Sequence, residues 1–247
     1  MKNLIKSLVW LGLSAASASA ITSAQAAIVE PFSGGQLSAT GWSAGIGADA
    51  STFLSTPAPD GSYGIALSEG VWSYNQDISF VAGETLSAWI NPGPSATADN
   101  NAQGGRIYLG FDAGANGAYS FVAASDTNQL GFQDNTAYAT PDFSGSVAQN
   151  YLDQWYFLTI TLSADGSSAT ANLYDNNATS LLSSLTQTGL SGGDSGIALR
   201  GIGGAAITSL SVTAVPLPAA LWLFGPGSGL LLMLSRRKAK QNAAMPA

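Results

Sequence analysis

The chain has 247 residues, no cysteine, no histidine and a formal net charge of −7. Those absences exclude disulfide staples, Ser-His-Asp or Cys-His catalysis and His-ligated zinc. Six of the eight basic residues lie at the two ends, so residues 27–214 carry all fifteen acids against Arg106 and Arg200, a charge of −13. Such a surface repels phosphate backbones, and a nucleic-acid function is excluded.

In chain order, Lys2 and Lys6 form a positive start, Leu8 to Leu13 begin an apolar run, and Ala24-Gln25-Ala26 is a small-x-small cleavage pattern. Residues 1–26 therefore read as a secretory signal peptide, cut between Ala26 and Ala27 or one residue later. The apolar run dissolves into Ser and Ala after Leu13, too soon for a membrane anchor.

The region 27–214 is rich in Gly, Ser, Thr, Ala and Asn, with short apolar alternations separated by turn signals. Strands are expected at Ile78–Val81, Leu86–Ile90, Arg106–Phe111, Tyr119–Val122, Trp155–Leu162, Ala169–Tyr174 and Ile207–Val212. Ala164-Asp165-Gly166 between two alternating runs predicts a hairpin. Asn91–Gly105 and Phe143–Asp153 lack a period and read as long loops that need something to tie them down. No helical stripe and no internal repeat is visible. The pattern predicts an all-β sandwich of one domain, large enough to fold without staples.

The C-terminal stretch has a different construction. Val215-Pro216-Leu217-Pro218 is followed by an apolar segment, Leu217 to Leu234, and then by Arg236, Arg237, Lys238 and Lys240. The segment is of near-minimal membrane length and is interrupted by Gly225-Pro226-Gly227, so it suits a transient, kinked transmembrane helix. Basic residues beyond apolar segments stay cytoplasmic, which leaves the middle of the chain exported.

This order of motif, span and basic tail resembles the PEP-CTERM sorting signal in its VPLPAA form. The resemblance covers roughly 215–240 and implies a partner, an exosortase-type membrane transpeptidase, acting near Val215–Pro218. It implies transient inner-membrane anchoring, then a place at the cell surface or in the exopolysaccharide matrix of a Gram-negative bacterium. The expected organisation is thus a signal peptide (1–26), a β-sandwich (27–214), a sorting signal (215–240) and a tail (241–247).

A second resemblance runs through the middle of the chain. Trp89 at a strand end, Gly105-Arg-Ile-Tyr-Leu-Gly-Phe111, Gln154-Trp-Tyr-Phe-Leu-Thr-Ile160, Ala171-Asn-Leu-Tyr174 and Gly196-Ile-Ala-Leu-Arg-Gly201 are similar in order to concanavalin A-like and laminin-G-like jelly rolls. Pro59-Asp-Gly-Ser-Tyr63 and Val81-Ala-Gly-Glu-Thr-Leu-Ser-Ala-Trp89 resemble instead the opening of galactose-binding-like modules.

Glycoside hydrolysis needs a pair of facing carboxyl groups. Glu30, Glu69 and Glu84 each stand alone, and most Asp residues occupy turn contexts, so the chain is read as non-enzymatic. A secreted glycan-active enzyme of the concanavalin A-like class is the alternative. No cofactor is expected. Asp99-Asn100-Asn101, Asp126-Thr127-Asn128 and Asp134-Asn135 are candidates for a structural calcium, or else ordinary turn residues. Strand alternation sets Trp89, Tyr108 and Tyr174 opposite the apolar faces of their strands. They are candidate glycan contacts if those faces form one surface, or a second core layer if loops cover them. Two functional classes follow: a carbohydrate-binding protein of the matrix, or a matrix component with no defined ligand.

Overall fold

The computed structural model describes residues 27–214, apart from 33–36, 38, 40, 47–50, 54–56, 68–70, 95–103, 140, 149–152 and 192–193. Gln25–Val215 delimits one compact unit. Ala24, Ala26, the sorting residues Val215, Pro216, Leu217, Pro218, Arg236, Arg237 and Lys238, and the apolar span lie outside the described residues. Ala27, the residue after the expected cut, opens the first strand.

Every described regular element is a strand: β1 (Ala27–Glu30), β2 (Trp42–Ile46), β3 (Ser51–Phe53), β4 (Ile65–Leu67), β5 (Trp72–Asn75), β6 (Glu84–Asn91), β7 (Arg106–Gly114), β8 (Gly117–Ala124), β9 (Gln129–Thr136), β10 (Val147–Ala148), β11 (Tyr156–Leu162), β12 (Ser168–Tyr174), β13 (Leu181–Thr188), β14 (Gly196–Ile202) and β15 (Ala206–Ala214). They form two antiparallel sheets. One has eight strands in the order β13-β12-β11-β6-β15-β4-β3, with β1 also on β15; the other has seven, β10-β9-β8-β7-β14-β5-β2.

Alternation explains the packing. β11 buries Tyr156, Leu158, Ile160 and Leu162 while the residues between them stay half-buried. Its neighbours add Leu86, Ala88 and Ile90 from β6, and Ala169, Ala171 and Leu173 from β12. The seven-stranded sheet answers with Ile107, Leu109, Phe111, Phe121, Ala123, Leu130, Ile197 and Leu199, and the two inner faces merge into one core. Each such leucine, isoleucine or phenylalanine side chain contributes on the order of 1.5–3 kcal/mol by leaving water.

The β11–β12 hairpin forms at the expected Asp-Gly. Asp165 accepts hydrogen bonds from Ser163 Oγ (2.6 Å), Ser167 N (3.1 Å) and Ser167 Oγ (2.8 Å). Gly166 takes φ +71°, the left-handed conformation that favours glycine.

Two expectations are corrected. Ile78–Val81 is not a strand. Asn75 Oδ1 accepts from the backbone N–H of Asp77 and Ile78 and turns the chain, so Phe80 enters the core from irregular backbone, bonded to Ser195 O at 2.7 Å. Phe143–Asp153 is not wholly loop, since Val147–Ala148 pairs with β9. The described base of the Asn91–Gly105 loop is tied: Pro94 O accepts Gly105 N at 2.7 Å and Ser125 Oγ at 2.9 Å.

Candidate functional site

Each sheet has an outer face, and the two differ. On the eight-stranded sheet, backbone register aligns residues into ranks across five adjacent strands. One rank is Thr213, Thr85, Thr161, Thr170 and Thr186; the next is Ser211, Ser87, Thr159, Asn172 and Ser184. Hydroxyls bridge neighbouring strands, Thr85 to Thr161 at 2.8 Å, Ser87 to Ser211 at 2.8 Å and Thr170 to Thr186 at 3.0 Å. The third rank is Thr208, Trp89, Phe157, Tyr174 and, past a register shift, Leu181. Trp89 lies 5.2 Å from Phe157 between ring centroids, and Phe157 lies 6.3 Å from Tyr174. With strands about 4.8 Å apart, the ranks span roughly 19 Å, and their β15–β6 side, with Thr208, Ser211, Ser87 and Trp89, is buried.

The aromatic rank is anchored at one end and open at the other. Trp89, Trp155, Ala58 and Ala206 bury one another, with Phe157 packed against them. A methyl at Gly64 would sit 2.6 Å from Ile207 O and 3.0 Å from the Trp155 ring, so only glycine lets the segment lie this close. Phe157 and Tyr174 keep part of their rings in solvent. None of the fifteen ranked residues is acidic or basic, in a domain charged −13.

The seven-stranded sheet is covered. Its outer face carries Trp72, Tyr74, Tyr108, Arg106, Arg200, Ser120, Gln133 and Asn135, and the chain after β9 folds back over it. Tyr138 sits 5.4 Å from Trp72 and stacks on Tyr74 at 5.2 Å, and its hydroxyl donates to Gly114 O at 2.7 Å. Burial first, then the negative surroundings, push its hydroxyl pKa well above the usual tyrosine value. Polar side chains strap the cover: Gln133 Nε2 donates to Pro141 O (3.0 Å) and Asn135 Nδ2 to Ala139 O (2.9 Å). Ala137 and Tyr138 both take positive φ, 54° and 55°, to make the turn.

Both arginines lie beneath or beside this cover. Arg106 pairs with Asp126 at 2.5 Å, donates to Tyr108 Oη at 3.2 Å and lies over the Phe143 ring. Burial works against its charge, but those bonds outweigh it and hold its pKa above the ordinary value. Arg200 stacks 4.8 Å from the Tyr108 centroid and 8% of it is exposed; burial pulls its pKa down. Among the described residues, all buried side-chain atoms without a hydrogen-bond partner belong to this face: Trp72 Nε1, Ser120 Oγ, Asn135 Oδ1 and Arg200 Nε and Nη1.

The three candidate aromatics are therefore split. Trp89 and Tyr174 share one rank, joined by Phe157, which the alternation of β11 places on the same face. Tyr108 belongs to the other sheet and is 1% exposed, buried in one cluster with Tyr138 and Phe143 from the chain after β9. The single surface holding all three is corrected to a pair plus a buried outlier.

Carboxylates have structural partners. Glu30 is fully buried and accepts from Phe32 N (2.8 Å), Ala39 N (2.9 Å) and Trp42 Nε1 (2.7 Å). Glu84 accepts from Val81 N at 2.8 Å. Of the calcium candidates, Asp126 is paired to Arg106, Asp134 bonds Thr136 and Asn135 straps the cover. Asp99, Asn100 and Asn101 lie outside the described residues. Among those described, no three His, Cys, Asp or Glu side chains gather to hold a metal. A cleft of about 380 Å³ opens at the end of the sandwich between Phe80, Phe111, Leu162 and Leu190, rimmed by Asp112, Asp165 and Asp194. Asp112 accepts Asp194 N at 2.6 Å, so that rim is partly self-satisfied.

No protein-family model matches the chain, and no curated protein matches it. Solved structures do. The exoplasmic/lumenal domain of VIP36, in a Ca2+/Man-bound form, superposes with a TM-score of 0.50 at 14% identity, covering 77% of this chain and 90% of that one. Chicken galectin 2 (TM-score 0.41, 11% identity, 56% of this chain and 96% of that one) and carbohydrate-binding module CBM66 from Bacillus subtilis (0.42, 14%, 70% and 96%) are looser superpositions, from which nothing is drawn. At this identity the VIP36 match speaks for the fold, a lectin-type jelly-roll sandwich of two antiparallel sheets.

Proposed function

We propose that the chain is an exported, non-enzymatic carbohydrate-binding β-sandwich that engages neutral polysaccharide with the outer face of its eight-stranded sheet. One observation carries the reading: a domain with fifteen acids leaves the outer residues of five strands free of charge, and on β11, β12 and β13 their hydroxyls reach solvent beside the half-buried Phe157 and Tyr174 rings. Sugar rings present an apolar C–H face and a rim of hydroxyls. The first gains by covering the Phe157 and Tyr174 rings, and the second exchanges water for Thr, Ser and Asn partners. Each contact is weak, so a long chain touching several ranks binds better than a single sugar. The Man-bound form of the VIP36 domain accords with this chemistry.

Delivery belongs to the same reading. The signal peptide is removed after Ala26, the 217–234 span holds the protein at the inner membrane, and an exosortase-type transpeptidase acts at Val215–Pro218. The protein then reaches the cell surface or exopolysaccharide matrix.

Affinity electrophoresis through gels containing neutral polysaccharides tests the face. Phe157→Ala and Tyr174→Ala are expected to lose retention at least tenfold while keeping the fold. If both variants migrate as the parent does on every polysaccharide that retards it, this face is not the binding surface. If no polysaccharide retards the parent, the protein is a ligand-free matrix component. Intact mass from the native host, with and without the transpeptidase, tests sorting: a C-terminus at Ala247 in both removes it.

A further inference from the structure

The two-residue loop between β7 and β8, Ala115-Asn116, runs into Gly117, and Asn116 is the one asparagine of the chain followed by glycine. Glycine sets no side chain in the way of its own amide nitrogen, so in Asn-Gly that nitrogen reaches the asparagine amide carbon most easily. Asn116 is exposed, and among the described residues no hydrogen bond holds its side chain. The Gly114–Gly117 pair closes the hairpin, and a register shift separates it from the next pair, Phe111–Tyr119. A terminal pair of this kind opens before the ladder behind it.

Two other steps of the same form, Asp60-Gly61 and Asp165-Gly166, differ. Asp60 accepts from Ser62 N, Ser62 Oγ and Ser209 Oγ, and Asp165 from Ser163 and Ser167. An ionised carboxylate held by three bonds is a poor electrophile. The amide of Asn116 carries no such protection.

The same loop anchors the cover of the seven-stranded sheet. Asn116 O accepts from Ala137 N at 2.6 Å, and Gly114 O accepts from Tyr138 Oη at 2.7 Å. Gly117 is clamped beneath the turn: a Cβ there would lie 2.5 Å from Asn135 O and 2.7 Å from Ala137 N. A change of main-chain length at 116–117 is therefore passed directly to Ala137 and Tyr138.

We propose that Asn116 is a self-modifying site, which deamidates through a succinimide and, on conversion to isoaspartate, releases the cover from the seven-stranded sheet. The Gly117 amide nitrogen, having given its proton to hydroxide, bonds to Asn116 Cγ, and the side-chain nitrogen leaves as ammonia. Water then opens the ring. Opening at Cγ gives aspartate with the main chain unchanged. Opening at the α-carbonyl gives isoaspartate, in which the chain runs through Cβ and Cγ and the former carbonyl becomes a free carboxylate. One water is consumed and one ammonia released, with nothing oxidised or reduced. Isoaspartate takes the acceptor of Ala137 N out of the main chain and lengthens the loop by one backbone atom. Beneath the cover, Trp72 Nε1 and Arg200 Nε and Nη1 have no partner, so lifting it lets water make bonds that the closed form lacks.

The test compares fresh full-length chain with chain aged at mildly alkaline pH. Peptide mapping by mass should place a one-dalton gain at Asn116 at least tenfold sooner than at any other asparagine, with isoaspartate the major form. The amides of Ala137, Tyr138 and Ala139, all bonded in the closed turn, should exchange hydrogen at least tenfold faster in the aged chain, while β11 and β12 keep their rates. Asn116→Gln, whose ring closure is slower, should age without change in mass or exchange. Fresh Asn116→Asp adds the charge without rerouting the chain and should exchange as the fresh parent does. An aged chain with no gain at Asn116, or one converted mainly to aspartate, overturns the proposal. So does an isoaspartate-bearing chain whose 137–139 exchange matches the fresh parent, or a fresh Asn116→Asp chain that already exchanges as fast as the aged one. The fresh and aged parent decide the matter alone if a variant does not fold.

Discussion

The two outer faces of this sandwich start from the same alternation and end differently. On β11 and β12, every second residue points away from the core and meets Thr, Ser, Asn, Phe or Tyr on the neighbouring strands. On β7 and β14, the outward residues include Tyr108 and Arg200, and a segment of the same chain closes over them. An aromatic opposite the core is thus a surface group in one sheet and an interior group in the other. What separates them is the stretch after β9, whose Tyr138 finds a floor of small side chains, Gly110, Ala118 and Ala198, between Trp72 and Tyr74.

The comparison breaks most easily at Tyr138. Tyr138→Ala is expected to cost about 3–5 kcal/mol in denaturant unfolding, the range for large aromatic deletions from a core. Phe157→Ala on the open face should cost no more than about 2 kcal/mol, since part of that ring is already in water. Equal losses would mean that the faces are not distinct. The same tyrosine gives a pH test. Its folded-state pKa lies above its unfolded value near 10. Its contribution is complete below pH 10 and declines above it, as the unfolded state releases a proton that the folded state retains. Tyr138→Phe should flatten the alkaline limb of a stability curve.

Arg200 sharpens the comparison from the other side. Nε and Nη1 of Arg200, 8% exposed, have no hydrogen-bond partner, and Tyr108 offsets only part of the burial of its charge, so removing those donors relieves an unmade-bond cost. Arg200→Met is expected to change stability by between zero and about +1 kcal/mol. A loss of more than about 2 kcal/mol would mean that the stacking on Tyr108 outweighs the missing hydrogen bonds.

The smallest effect belongs to the β11–β12 turn. Hydrogen bonds from Ser163 and then Ser167 hold the Asp165 carboxyl down to about pH 2. A depressed pKa contributes stability above the unfolded value near 4, which is lost as pH falls toward 2. Asp165→Asn should narrow the acid-side difference only slightly, because the group is fully exposed.

Strands with one apolar side were legible. Tyr156, Leu158, Ile160 and Leu162 announce β11, and its hairpin follows from Asp165-Gly166. β9 was not, because its outward residues, Gln129, Gly131, Gln133 and Asn135, look like loop polarity until the cover bonds Gln129 Oε1, Gln133 Nε2 and Asn135 Nδ2. β13 was missed for the opposite reason. As an edge it buries little, so Ser183, Ser184, Thr186 and Gln187 leave no period to read. Ile78–Val81 misled because Phe80 is a core residue without being a strand residue. At the site, alternation found Trp89 and Tyr174 but could not say which sheet holds Tyr108. Sheet membership is a long-range pairing, set by β14 and β8 rather than by the residues beside it.

Ala27 of β1 lies across from Val212 of β15, so the chain enters and leaves the sandwich at one corner. Under the proposed anchoring, a tether beyond Ala214 would pull on β15, which is seated between β6 on one flank and β1 and β4 on the other. Dislodging that strand means breaking its pairings on both flanks. The exit strand is thereby paired on both sides, so a pull on it would have to break two rows of hydrogen bonds at once.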